Sequence, residues 1–354
     1  MTDSTNNNAK PVRKGEELNW KALDLHLKTA ISGLAGRPQI SQFYGGASNL
    51  TYRLKYGRQD LVIRRPPFGT KAKSAHSMIR EYKILKSLKP VYPSVPEVLY
   101  YSDDEHVIGS EFYVMRKVQG QVVKDTIPPE WNFKVKDTRQ FCIAFWEKLI
   151  ELHRLDYVEA GLGEFGKPEG YAKRQVLGWN GRYEHAITSD VNEFSDVRNW
   201  LVENLPPEND RHSILHGDFR IDNVILDNNN PCKIVAVLDW EICALGDPLM
   251  DLGNALAYWT QADDPAYLKS LVMQPSAAPG MLNRREILDF YQQKTGIDTS
   301  DFTFYEVYGY WRNTVILQQI YYRYFHGQTK DQRFGIFGQI VQKLGEHCQR
   351  LISA

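Results

Sequence analysis

The run His216-Gly217-Asp218-Phe219-Arg220-Ile221-Asp222-Asn223 is followed, sixteen residues after Asn223, by Asp239 in Leu238-Asp239-Trp240-Glu241. A loop that sets Asp218 and Asn223 five residues apart, with a hairpin returning Asp239 to the same mouth, can bring three oxygen-bearing side chains together. Such a set suits phosphoryl transfer to a hydroxyl. A carboxylate orients the nucleophile and accepts its proton, while hard oxygen ligands hold magnesium against nucleotide phosphates. Taken singly, each residue reads equally as a turn or hairpin cap, because Asp, Asn and Gly are common there. Only their joint spacing argues for chemistry.

The flanking elements fit that arrangement. Val224 to Asp227, the turn Asn228-Asn229-Asn230-Pro231 and Lys233 to Leu238 read as a hairpin carrying Asp239 at its end. Upstream, Ile40 to Tyr44, Leu50 to Tyr56 and Asp60 to Arg64 are short aromatic or β-branched runs between Gly-containing turns, which predicts an antiparallel meander. Ser74 to Leu88 returns to helical spacing, and Val95 to Tyr101 and Glu111 to Lys117 read as two further strands. After Gly120 the chain becomes mostly helical, beginning with the amphipathic stretch Asp137 to Leu155 and ending in three helices broken near Gly296 and Gly327. The expected organisation is a polar disordered leader over 1–16, a small β-rich lobe over 17–117 and a larger, mainly α-helical lobe over 118–354.

In the small lobe, Gly45, Gly46, Ser48 and Asn49 stand between two strands, where small residues let backbone N–H groups approach phosphate oxygens. A plain Gly-Gly hairpin would read the same way. Bulk properties point to an ordinary globular chain: 354 residues, 42% hydrophobic, 24% charged, and 43 basic against 43 acidic residues. Net charge near zero gives no sign of a nucleic-acid or anionic-membrane partner. Cys142, Cys232, Cys243 and Cys348 show no metal-type spacing and read as free thiols of a reducing compartment. No apolar run approaches the ~20 residues of a membrane span, so the expected location is cytoplasmic.

The pattern H-x-D-x-x-x-x-N, a hairpin and a second Asp resembles the protein-kinase-like superfamily, and HGDF-R-x-D-N with LDWE is similar to its aminoglycoside phosphotransferase branch. GGASNLTY, LVIRRPP, REYKIL and GDPLMDLG narrow the resemblance to kinase-like domains associated with acyl-CoA dehydrogenases, over residues 38 to 325. The resemblance implies an α+β, two-lobed fold, ATP and magnesium as cofactors, Asp218 as catalytic base, and Asn223 and Asp239 as magnesium ligands. His216 would support the loop. Arg64 would occupy the position of the lysine in the V-A-I-K strand, with Arg65 as the neighbouring alternative, and would pair with Glu81. The strand EFYVMRKVQG is similar to the hinge, where main-chain groups near Met115 to Lys117 would hold adenine.

Between Asp239 and Gly246-Asp247-Pro248 there is no room for the activation loop of a protein kinase, so a small-molecule acceptor is expected. Asp251 is expected to be a helix-start carboxylate that braces the catalytic loop, and Asp247 a turn residue before Pro248. Arg174, Trp179, Trp311 and Arg323 form aromatic and basic groups that are either helix packing or the lining of an acceptor site. In the second case an anionic or acyl acceptor, such as a hydroxyacyl-CoA or hydroxy acid, fits better than a polycation. Two alternatives remain at this level: a catalytically silent nucleotide-binding module, or a kinase of the choline, fructosamine or aminoglycoside type.

Overall fold

Leu50–Tyr56 (β3), in which apolar and polar residues alternate, and Gln59–Arg65 (β4), with the buried run Leu61-Val62-Ile63, build the centre of a six-stranded antiparallel sheet. The computed structural model describes residues 9–44, 49–69, 77–208, 211–269 and 274–354. The other strands are Ala9–Lys10 (β1), Gln39–Phe43 (β2), Val98–Ser102 (β5) and Phe112–Arg116 (β6), in the order β1-β2-β3-β4-β6-β5. Within the segment expected as a leader, β1 pairs with β2 and the Arg13 amide donates to Gln42.

Side chains on one face of this sheet, among them Tyr52, Leu54, Leu61, Ile63, Phe112 and Val114, share a core with Leu23 and Leu27 of the helix Trp20–Ala30 (α1). Strand alternation sends Arg64 to the other face, where it is opposite Tyr113 in register. Helix Met78–Leu88 (α2) starts at Ser77, whose hydroxyl caps the Arg80 amide, and buries Glu81 beside Ile84 and Leu85. A short helix, Glu105–Ile108 (α3), follows β5.

By packing, the chain divides into two units: Met1–Val122 with 160–162 and Asn223–Cys243, and Val123–Glu159 with 163–222 and 244–354. The hairpin of Val224–Leu226 and Ile234–Val237 thus groups with the sheet. In the second unit lie the strands Ser213–Leu215 and Ala244–Gly246, which pair with each other. Numbered along the chain, these four are β7 (Ser213–Leu215), β8 and β9 (the hairpin) and β10 (Ala244–Gly246).

The second unit is otherwise helical: Val135–His153 (α4), Tyr171–Ala186 (α5), Ser195–Glu203 (α6), Pro248–Ala257 (α7), Ala266–Lys269 (α8), Arg284–Thr295 (α9), Thr303–Phe325 (α10) and Phe337–Ser353 (α11). Helix α9 stops at Gly296, and α10 is buried on nearly every side from Phe304 to Val315. None of the four cysteines forms a disulfide, and three of them are buried. Among the described residues no helix is long and apolar enough to cross a membrane.

Candidate active site

The first unit holds a buried charge cluster around Arg64. Its Nη1 donates to Glu81 Oε1 at 2.6 Å, while Nη2 lies 3.4 Å from Asp239 Oδ1 and 3.8 Å from Glu241 Oε2. Burial works against this guanidinium, but Glu81, Tyr113, Asp239 and Glu241 hold its pKa above the ordinary arginine value. Glu81 is fully enclosed; burial raises its carboxyl pKa and Arg64 pulls it back. The Tyr113 hydroxyl is pushed well up by burial first and then by Glu81. Arg65, on the opposite face, donates instead to the Ile108 and Pro66 carbonyls. Of the two adjacent arginines, Arg64 therefore makes the expected pair with the α2 glutamate.

Asp239 reaches the cluster through a left-handed backbone, φ +64°, which β-carbon-bearing residues seldom adopt and Asp tolerates better than most. The next residues fix the turn: Trp240 donates its indole N–H to the Val237 carbonyl, and Glu241 accepts from the Asn49 amide at 2.8 Å. Asn223, 9% exposed, precedes β8, and its carbonyl accepts the Leu238 amide at 2.7 Å, which ties the two ends of the hairpin. Gly120 packs on this ribbon. Its φ is +149°, and a Cβ there would sit 2.3 Å from the Leu226 carbonyl oxygen. Gln121 and Leu226 exchange both backbone bonds.

Of the residues expected at the nucleotide, Gly45, Gly46 and Ser48 lie outside the described residues. The Asn49 side chain is committed to Glu241. Met115 is paired with Val62 and Val98 in the sheet, and the Arg116 and Lys117 amides donate to Glu97 and Asp60 at 2.8 Å each. The amide of Val118, the next residue, makes no backbone hydrogen bond among the described residues.

In the second unit, Asp251 on α7 organises the loop before the hairpin. Its carboxylate accepts the His216 amide at 2.7 Å, the Gly217 amide at 2.8 Å and the His153 Nε2–H at 3.2 Å. Gly217, at φ +84°, lets two successive amides turn onto one carboxylate. Burial raises the Asp251 pKa, but the bonds from His153 and His216 outweigh it and hold the carboxyl below its usual range. This is the bracing expected of Asp251. Asp247 caps α7 through the Leu249 amide.

The loop then turns back on itself: His216 is buried, and its Nδ1 accepts the Asp218 amide at 3.2 Å. The Asp218 side chain retains 21% exposure and has Arg220 Nε 3.6 Å from its Oδ1. Arg220 also donates to Asp222 at 3.0 Å and lies over the Tyr258 ring.

The four residues expected at the acceptor have different environments. Trp179 is flanked by Arg182, 4.4 Å from its ring centre, and by Arg312 at 5.5 Å. Trp311 is fully buried and gives its indole N–H to Asn180. Arg174 folds back onto the Glu169 and Lys167 carbonyls. Arg323 is exposed in the last turn of α10.

Comparison with known proteins decides the family. The model of the phosphotransferase enzyme family matches residues 39–287. This chain belongs to that family. The chain is 33% identical over 334 residues to human acyl-CoA dehydrogenase family member 11, covering 92% of this chain and 42% of the relative. It therefore spans about two fifths of that protein's length.

Among solved structures, a Ralstonia eutropha protein assigned to the aminoglycoside phosphotransferases superposes with a TM-score of 0.82, at 28% identity over 95% of this chain and 99% of the other. The chain also shares its fold with APH(4)-Ia in complex with AMP-PNP and hygromycin B, at a TM-score of 0.58, 14% identity and coverage of 93% and 98%. The fold is thus the expected α+β, protein-kinase-like one.

The oxygen donors around Arg64 are of the kind magnesium prefers. Three carboxylates face one guanidinium in the first unit, which leaves negative charge in excess. No group of three or more His, Cys, Asp or Glu side chains among the described residues is arranged to hold an ion. Magnesium asks for less: one or two protein oxygens, with water and phosphate supplying the rest. Sequence reasoning missed Tyr113, Glu241, Arg220 and Tyr258. Only Glu241 and Arg220 carried a signal, by standing inside the two motifs.

Proposed function

We propose that this phosphotransferase is an ATP- and magnesium-dependent small-molecule kinase whose acceptor is a hydroxyacyl thioester or a hydroxy acid. The observation that carries the reading is the ion pair of Arg64 with Glu81, with Asp239 at the same guanidinium. Kinase catalysis requires a phosphate-binding cation braced by a helix carboxylate, and a metal-binding Asp beside it. AMP-PNP and an aminoglycoside bind together in APH(4)-Ia, which supports a nucleotide and a hydroxyl-bearing second substrate here.

In this mechanism Arg64 contacts the nucleotide phosphates and the Val118 amide takes the adenine edge, since the amides of Arg116 and Lys117 are already spent. Asp239 and Asn223 would hold magnesium, which when bound offsets the charge of the phosphate oxygens. Asp218 orients the acceptor hydroxyl and accepts its proton as the new oxygen–phosphorus bond forms. The bond between the γ-phosphorus and the β,γ-bridging oxygen breaks, and its electron pair leaves with ADP. His216 stays out of proton transfer, being buried and bonded to the Asp218 amide.

The test is an ATP-consumption screen over hydroxyl-bearing metabolites, including hydroxyacyl thioesters, hydroxy acids, choline and aminoglycosides, with phosphorylated product identified by mass. Turnover of a thioester or acid is expected. Turnover of aminoglycosides alone would replace the acceptor assignment. Nucleotide-dependent thermal stabilisation without turnover across the library would identify a silent binding module.

A further inference from the structure

Arg312 differs from the other enclosed arginines of this chain. Arg53 meets Asp60 at 2.5 Å, Arg64 meets Glu81 at 2.6 Å and Arg284 meets Asp264 at 2.7 Å, while Arg65 is spent on main-chain carbonyls. Arg312 is 6% exposed, and no carboxylate among the described residues lies within ion-pair distance of it. Its Nη1 is enclosed and has no hydrogen-bond partner. An enclosed guanidinium with a spare donor is stable only if something supplies an acceptor.

Its surroundings are polar, with one flat wall. The Trp179 ring lies 5.5 Å from the guanidinium, and Tyr258, Tyr308, Asp218 and Tyr171 are near enough to act on its charge. Asp218 and Arg220 act on Tyr258 in turn, so the base and the unused cation flank the same tyrosine.

We infer that Arg312 is the specificity-determining residue of the acceptor site: its free guanidinium edge pairs with a carboxylate or carbonyl oxygen of the molecule whose hydroxyl faces Asp218. The inference rests on the kinase reading and sharpens it. The acceptor becomes a short hydroxy acid or its thioester, with the Trp179 ring covering the carbons between the two oxygens. A polyamine sugar is disfavoured, because its ammonium groups would meet a buried cation. Arginine suits the task because its planar fork gives two parallel bonds to one carboxylate, which lysine cannot reproduce.

The full chain and its R312M and R312K variants are compared on 2-, 3- and 4-hydroxybutanoate, their coenzyme A thioesters and the matching butanediols. Initial rates and calorimetric affinities in the presence of AMP-PNP are both read. In R312M the ratio of kcat/KM for acid or thioester to that for diol should fall by at least roughly tenfold, mainly through KM, with R312K recovering part of it. Loss confined to the acids assigns a carboxylate, and loss confined to the thioesters assigns a carbonyl. An unchanged ratio in a variant that melts like the parent overturns the inference while leaving the kinase reading intact. Arg312-dependent binding without transfer does the reverse. Should R312M fail to fold, the ratio in R312K decides, and failure of the whole panel to bind or react with the parent chain counts against the inference.

Discussion

Two buried carboxylate clusters in this chain solve opposite problems. Around Asp251 both carboxylate oxygens are engaged: two backbone amides and one imidazole meet a single carboxylate, and the result fixes a loop. Around Arg64 the accounts are left open: three carboxylates share one guanidinium, and Asp239 is still 36% exposed. A saturated cluster holds backbone, whereas one with surplus charge and access to solvent is prepared for a ligand that brings the missing countercharge. Changes to the first should therefore appear as lost stability, and changes to the second as lost nucleotide or metal binding.

The largest effect expected is that of Asp218→Ala. Removing the base should cut kcat by about 10²–10⁴-fold and leave AMP-PNP affinity intact, as read by steady-state kinetics and calorimetry. Normal turnover would remove Asp218 from the reaction. Asp239→Ala should cost on the order of 100-fold in magnesium-dependent ATP binding with little change in melting temperature; unaltered metal dependence would break the contrast drawn above.

For Asp251→Ala, which orphans three donors, the expected cost is about 3–5 kcal/mol of stability by denaturant titration. The smallest effect is assigned to Arg64→Lys. It keeps the charge but loses the fork, and should raise KM for ATP about tenfold or less.

Acidification sharpens the same contrast. The Asp251 carboxyl is held below its usual range, so its stabilisation is complete above the unfolded value of about 3.9. It is lost only as pH falls through the lower folded value. The stability gap between the parent chain and Asp251→Asn should thus stay level from neutral pH to about 5 and close below about 4. A gap that closes near neutrality would show that another group is responsible.

Much of this was legible locally. The β3–β4 meander, the β8–β9 hairpin and the stop of α9 at Gly296 follow from short-range periodicity and turn chemistry. The Arg64–Glu81 pair could be anticipated because strand alternation separates Arg64 from Arg65. The partners of Arg312 could not. Helix α10 is buried on nearly every side over Phe304 to Val315, so its sequence shows no continuous polar face against which an inward arginine would stand out. Tyr113 was hidden for a related reason: a tyrosine in a buried strand looks like any other apolar position until its register with Arg64 is known. That the backbone donors of Arg116 and Lys117 are used by the Glu97 and Asp60 carbonyls could not be read either, being a matter of pairing rather than composition.

Gly120 carries a consequence for variation in this chain. With the Leu226 carbonyl oxygen 2.3 Å from where a methyl would stand, and a backbone angle of +149°, a library randomised at this codon should return glycine almost alone. The ribbon that ends in Asp239 is thereby exposed to mutation at a point far upstream in the gene, where a single alanine would disturb Asp239 without touching it.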